Sequence, residues 1–128
     1  MPDGSLKPAA TYPSVVGNVL AQLRSQRGLH QQDLAEAVGV TQATWSRVES
    51  GQTGITVEHL RLAANQLGRT PGEILSMADS TATMMQLNGV EVIPTRDDEK
   101  LKSALILIGA VALTAFVTTV VVKSAQKG

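Results

Sequence analysis

The chain has 128 residues, a formal net charge of zero, and only three aromatic side chains, Tyr12, Trp45 and Phe116. That length allows about one small domain with an appendage, and the absence of cysteine excludes disulfides, cysteine-ligated metals and thiol catalysis. With no net charge there is no global field to draw the chain to nucleic acid or acidic lipid, so any such binding must rest on local groups.

Residues 1–13 hold Pro2, Pro8 and Pro13 and little that can be buried, so a flexible N-terminal arm is expected. No apolar run follows the early charges, and no secretory signal is expected. Ser14 then stands where it can cap a helix running to about Arg27, with Val16, Leu20 and Leu23 on one face and Gly28 as its stop. A second short helix is predicted from Gln31 to Val38, burying Leu34, Ala35 and Val38. His30 occupies its cap, a weak choice beside Ser or Thr. Gly39 and Val40 turn the chain into a third helix, capped by Thr41 and stopped by Gly51, and two short helices joined by a tight turn form a helix-turn-helix. On the third helix Trp45 and Val48 can point inward as core, while Gln42, Ala43, Ser46 and Arg47 are left to point outward. Gln and Arg pair bidentately with adenine and guanine edges in the major groove, so this helix reads as one that contacts DNA.

Thr56 caps a fourth helix with Val57, Leu60, Ala63, Ala64 and Leu67 facing inward and Gly68 at its end. Thr70-Pro71-Gly72-Glu73 combines an N-cap, a proline at the first helical position and a capping-box glutamate, which starts a fifth helix to about Met77. The helical domain therefore spans 14–78, and 79–103 reads as a linker. Within that linker, residues 83–93 around Asn88-Gly89 suit a short β-hairpin, which would need the domain or a second chain to pack on; a partly ordered linker is the alternative.

Ala104 to Val122 is a run of nineteen uncharged, mainly apolar residues. As a helix it spans about 28 Å, close to the hydrocarbon thickness of a bilayer. Lys100 and Lys102 precede it, and Lys123 and Lys127 follow in a short tail at 123–128. The run reads as a single C-terminal transmembrane helix, with a helix buried between subunits as the alternative. Arg96, Lys100 and Lys102 bias the N-terminal domain toward the cytoplasm. The expected location is thus the bacterial inner membrane, as a tail anchor without an external domain. Ala110, Thr114 and Thr118 form a small-residue stripe on which two such helices could pack.

Taken together, Leu20-Ala21-Gln22-Leu23-Arg24, Gly28-Leu29-His30-Gln31-Gln32-Asp33-Leu34-Ala35, Val38-Gly39-Val40-Thr41-Gln42 and Ser46-Arg47-Val48-Glu49-Ser50-Gly51 resemble the Xre family of helix-turn-helix regulators, the lambdoid Cro and C1 repressor type. The resemblance covers about residues 14 to 77 without a gap. It implies an all-α, five-helix domain that binds double-stranded DNA, commonly as a homodimer. Carried onto this sequence, it implies base contacts from Gln42, Ala43 and Arg47, backbone contacts from Gln31, Thr41, Thr44 and Ser46, and a structural pair of Arg24 with Glu49. Two positions depart from the pattern: His30 at a cap that is usually Ser or Thr, and Trp45 where a medium aliphatic is usual. Local cationic help would come from Arg27, Arg47, Arg61 and Arg69.

The expected function is that of a membrane-anchored, sequence-specific transcriptional regulator, with DNA, the lipid bilayer and a second copy as partners. No cofactor, metal site or catalytic residue is expected, since His30 and His59 are isolated and no Gly-rich phosphate loop is present. Two other readings compete. One is a membrane-anchored helix-turn-helix adaptor for a cytoplasmic protein, similar to RodZ, although that family carries an external domain after its span and lacks the polar recognition face. The other is a soluble oligomer built on the C-terminal apolar helix.

Overall fold

The computed structural model describes residues 7–94 and 105–127. Its helices begin where a threonine can supply a cap. Thr11 caps α1 (Tyr12–Gln26), Thr41 caps α3 (Gln42–Glu49), Thr56 caps α4 (Val57–Gln66) and Thr70 caps α5 (Pro71–Leu87), each hydroxyl accepting the N–H three residues on. At α5 the box is reciprocal: Glu73 accepts the Thr70 N–H at 3.0 Å, and that bond holds the Glu73 carboxyl below the usual carboxylate range. α2 (Gln31–Val38) starts at His30, whose N–H donates to the Asp33 carboxylate at 2.7 Å, the returning bond of a capping box. A last helix, α6 (Ala110–Lys127), and three short strands complete the described chain.

The strands are β1 (Lys7–Thr11), β2 (Glu91–Ile93) and β3 (Leu105–Leu107), arranged β2-β1-β3 with both outer strands parallel to β1. The fold is mainly helical but not all-α, and residues 7–13 are not a loose arm. Ala9 and Ala10 are buried in the central strand, and the strand's partners lie far along the chain, opposite Glu91 to Ile93 and Leu105 to Leu107. The Ala9 carbonyl accepts from the Ile108 N–H at 2.8 Å, so its backbone faces β3. Pro8, one residue earlier, faces the other edge, where β2 begins only opposite Ala9. Its missing N–H therefore costs no ladder bond. The helix that follows starts two residues before Ser14, which instead donates its hydroxyl to the Thr11 carbonyl at 2.7 Å.

The expected hairpin at 83–93 does not form. α5 runs on to Leu87, burying Met77, Ala78, Thr81 and Met85 at helical spacing. Asn88-Gly89 closes that helix, Gly89 taking a φ of 79° and the Val90 N–H returning to the Met85 carbonyl at 2.9 Å. An Asn-Gly pair serves a helix end as readily as a tight turn, and burial of Met85 decides between them.

Nor do residues 104–122 make one continuous transmembrane helix. Residues 105–107 pair with β1, and α6 begins only at Ala110 and lies on α1 and α5 with Leu113, Val117 and Val121 buried at four-residue intervals. Among the described residues no helix is long and apolar enough to cross a membrane. The longer α5 and the sheet enlarge the domain enough to host this segment. Thr114 and Thr118 of the small-residue stripe meet α1: Asn18 Nδ2 donates to Thr114 Oγ1 at 3.2 Å and Gln22 Nε2 to Thr118 Oγ1 at 2.9 Å.

α1 is the helix the others surround. It packs on α3, α5 and α6 through Val15, Val16, Val19, Leu20 and Leu23, all buried. Gly17 lets α3 approach, because a Cβ there would lie 2.6 Å from the Glu49 carbonyl oxygen and closer still to that of Val48. Tyr12 joins the start of α1 to α5, its hydroxyl donating to Asp79 Oδ1 at 2.6 Å. Burial and the Asp79 carboxylate push its phenol from 10.0 up to about 12. Because the folded value lies above the unfolded one, the stability Tyr12 contributes is intact below pH 10.0 and is lost as pH rises toward about 12. A urea-denaturation series across that interval should show stability falling in the native chain and a shallower fall in Tyr12→Phe; equal slopes would show that the contact is not made in solution.

Candidate nucleic-acid interface

The orientation of α3 is set by one buried carboxylate. Glu49, at the last turn of the helix, is 8% exposed and accepts four hydrogen bonds. Arg24 of α1 supplies two of them in a fork, Nε to Oε2 at 2.7 Å and Nη2 to Oε1 at 3.1 Å. Gln31 Nε2 of α2 donates to Oε1 at 2.9 Å, and the Trp45 indole N–H donates to Oε2 at 2.6 Å. Two oxygens offer about four lone-pair sites, so the acceptor is saturated. The remaining Arg24 nitrogen, Nη1, donates to the Leu29 carbonyl at 2.8 Å in the loop before α2. Three helices and one loop are thereby held to a single point.

The Arg24 and Glu49 side chains are thus paired, and Trp45 is fully buried. Sequence reasoning gave Trp45 only the role of core plug; its N–H bond to Glu49 was missed, although Trp and Glu four apart on one helix can meet. Gln31 was expected to face phosphate. Its side chain instead turns inward to Glu49, and as the first residue of α2 its backbone N–H has no partner within the helix.

Between α2 and α3, Gly39 takes a φ of 86° that side chains other than glycine rarely accept, and the N–H groups of Gly39 and Val40 both return to the Ala35 carbonyl at 2.8 and 2.9 Å. With the turn closed below and Glu49 fixed above, α3 has a dry face of Trp45 and Val48 and an open one. Thr41, Gln42, Ala43 and Arg47 are exposed, and Thr44 and Ser46 are half-buried. The Thr41 hydroxyl is engaged in capping, accepting from the Thr44 N–H at 3.1 Å and bonding Thr44 Oγ1 at 3.0 Å. Gln42 and Arg47 make no side-chain hydrogen bond or ion pair among the described residues.

The surrounding cations are less free. Arg61 is paired with Glu58, Arg69 lies 3.5 Å from Glu73, and Arg27 Nη1 donates to the Leu67 carbonyl at 3.2 Å. Arg47 is therefore the cation of this group that the open face of α3 presents unspent. No group of three or more metal-ligating side chains occurs among the described residues.

A short helix locked on its inner side, entered through a tight αL turn and open on its outer side, defines a helix-turn-helix unit. Residues 15–76 match the model of the helix-turn-helix domain family. No curated protein matches the chain. Among solved structures, it is similar to the clp gene regulator ClgR from Corynebacterium glutamicum, at 23% identity and a TM-score of 0.58 over 60% of this chain and 82% of that one. A second structure of that regulator matches at 26% identity and a TM-score of 0.51, over 53% and 88%. The restriction-modification controller protein C.AhdI from Aeromonas hydrophila is 30% identical over 47% of this chain and 91% of its own, with a TM-score of 0.45.

Removing the Glu49 charge leaves Arg24 buried without its counter-ion, a change that typically costs about 3 kcal/mol or more. Glu49→Gln should lower the urea midpoint accordingly, while Gln31→Ala, which removes one of four donors, should cost about 1 kcal/mol. Equal small effects of the two changes would show that Glu49 is not the hub of the three helices.

Proposed function

We propose that the chain is a sequence-specific DNA-binding regulator that lays α3 in the major groove. The observation that carries this reading is the joint exposure of Gln42, Ala43 and Arg47 on a helix whose inner groups are all committed. Gln42 suits the N6 and N7 edge of adenine, Arg47 the O6 and N7 edge of guanine, and Ala43 a thymine methyl. Thr44 and Ser46 flank them at the backbone. Phosphate is met at helix N-termini: Thr41 and the first turn of α3 on one side, the Gln31 N–H at the start of α2 on the other. The inward turn of the Gln31 side chain makes it a positioning group for α2 and α3 in this scheme.

The zero net charge bears on affinity. Phosphate neutralisation supplies much of the free energy of DNA binding, and of Arg27, Arg47, Arg61 and Arg69 only Arg47 is without a partner among the described residues. A single domain should hold one half-site weakly, and the reading therefore includes a homodimer on two half-sites about one helical turn apart.

Selection of bound sequences from a random DNA pool by the full chain should return a defined site with twofold symmetry. Gln42→Ala and Arg47→Ala should each cost about 1–3 kcal/mol on that site and relax the preference at one position. Recovery of no preferred sequence, or a double variant that selects the same site with the same affinity, would contradict the proposal and favour a protein-binding role for the open face.

A further inference from the structure

We infer that the C-terminal segment is a detachable arm for a lipid bilayer. Docked, it is β3 and α6; released, Ala104 to Val122 becomes one continuous spanning helix. The first observation is the outer face of α6. Val111, Ala112, Ala115, Thr119 and Val122 are all exposed, Val111 at 88%, and no charge occurs on the helix before Lys123. A helix lying on the surface of a domain normally shows water a charged face; a stretch that is uncharged all round, as residues 110–122 are, is suited to full burial or to lipid.

The seam beneath α6 is the second observation, because it is imperfect. Asn18 Oδ1 is buried at this seam with no partner, and an unpaired buried acceptor weakens a contact. An open groove of about 570 Å³ runs along the α5–α6 side, lined by Met77, Met84, Leu87 and Val120 among others. The β3 link is only three residues long.

The third is length and flanking charge. The uncharged run has nineteen residues with lysines at both ends, and as a continuous helix it reaches about 28 Å, enough to cross with Lys100, Lys102, Lys123 and Lys127 at the two interfaces. In lipid, Leu113, Val117 and Val121 exchange one apolar surrounding for another, and the β3 backbone groups find helical partners in place of β1. Thr119 is already prepared, its hydroxyl donating to the Ala115 carbonyl at 3.1 Å within the helix. A second copy is the other occupant the outer face could take, but it would leave the length of the run and its paired lysines unused.

The test uses the full chain and phosphatidylcholine vesicles in a flotation gradient, and does not depend on DNA binding. The native chain should float with the vesicles and resist a high-salt wash. Ala112→Lys with Ala115→Lys adds charge at exposed positions near the middle of the run, so the docked fold and its thermal midpoint should stay while flotation falls roughly tenfold or more. As the chain has no cysteine, Gln22→Cys with Thr118→Cys can be joined by a short bis-maleimide. The uncrosslinked pair should float and the crosslinked one should not. Failure of the native chain to float, flotation of the lysine variant, or flotation of the crosslinked protein would each overturn the inference. Vesicle-free self-association that the lysines abolish, with no flotation, would assign the outer face to a second copy.

Discussion

The structure turns on a carboxylate buried where three helices meet. Glu49 is too far inside to be solvated, and an ionised carboxylate in that place is tolerated only when hydrogen-bonded and paired. Arg24, Gln31 and Trp45 meet that demand from α1, α2 and α3 in turn. A buried ion pair is a poor source of net stability compared with apolar packing, but its geometry is narrow. What it supplies here is direction. Gly17 brings the end of α3 against α1, Gly39 sets the angle of entry, and Glu49 fixes the rotation, so the helix has one way to face outward. The exposure of Gln42, Ala43 and Arg47 follows from those inner constraints.

Much of this core was legible in the sequence because its signals are local. Thr41, Thr56 and Thr70 mark three helix starts within a residue, and the spacing of Leu20, Leu23, Leu34, Val38 and Val48 indicates which faces close. The hub was half legible: the Xre resemblance implied Arg24 with Glu49, while Trp45 and Gln31 as further donors depend on side-chain directions that spacing alone does not give. The ends of the chain were misread for one shared reason. β1 is a strand only because β2 and β3 reach it from more than eighty residues away, and no local pattern announces such a partner. Deprived of it, residues 7–11 looked like an arm, Asn88-Gly89 like a hairpin turn, and the segment after Lys102 like a helix with nowhere to pack.

That segment joins the two halves of the account. The apolar run that suggests a bilayer and the α6 that covers α1 share residues 110–122, and in the release inferred above their role would follow from which apolar surface is at hand. α6 sits on the side of α1 that carries Asn18 and Gln22, whereas α3 meets α1 at Gly17 and the Glu49 pair engages Arg24. The two helices thus meet α1 at different residues.

The central claim is that Glu49 fixes α3 so that its open face enters the major groove. Methylation protection tests it most directly, because dimethyl sulfate attacks guanine N7 in the major groove and adenine N3 in the minor. On the site selected by the full chain, the account predicts protection of guanine N7 in two patches about one helical turn apart. Protection confined to adenine N3, or no protection at saturating protein, would contradict it.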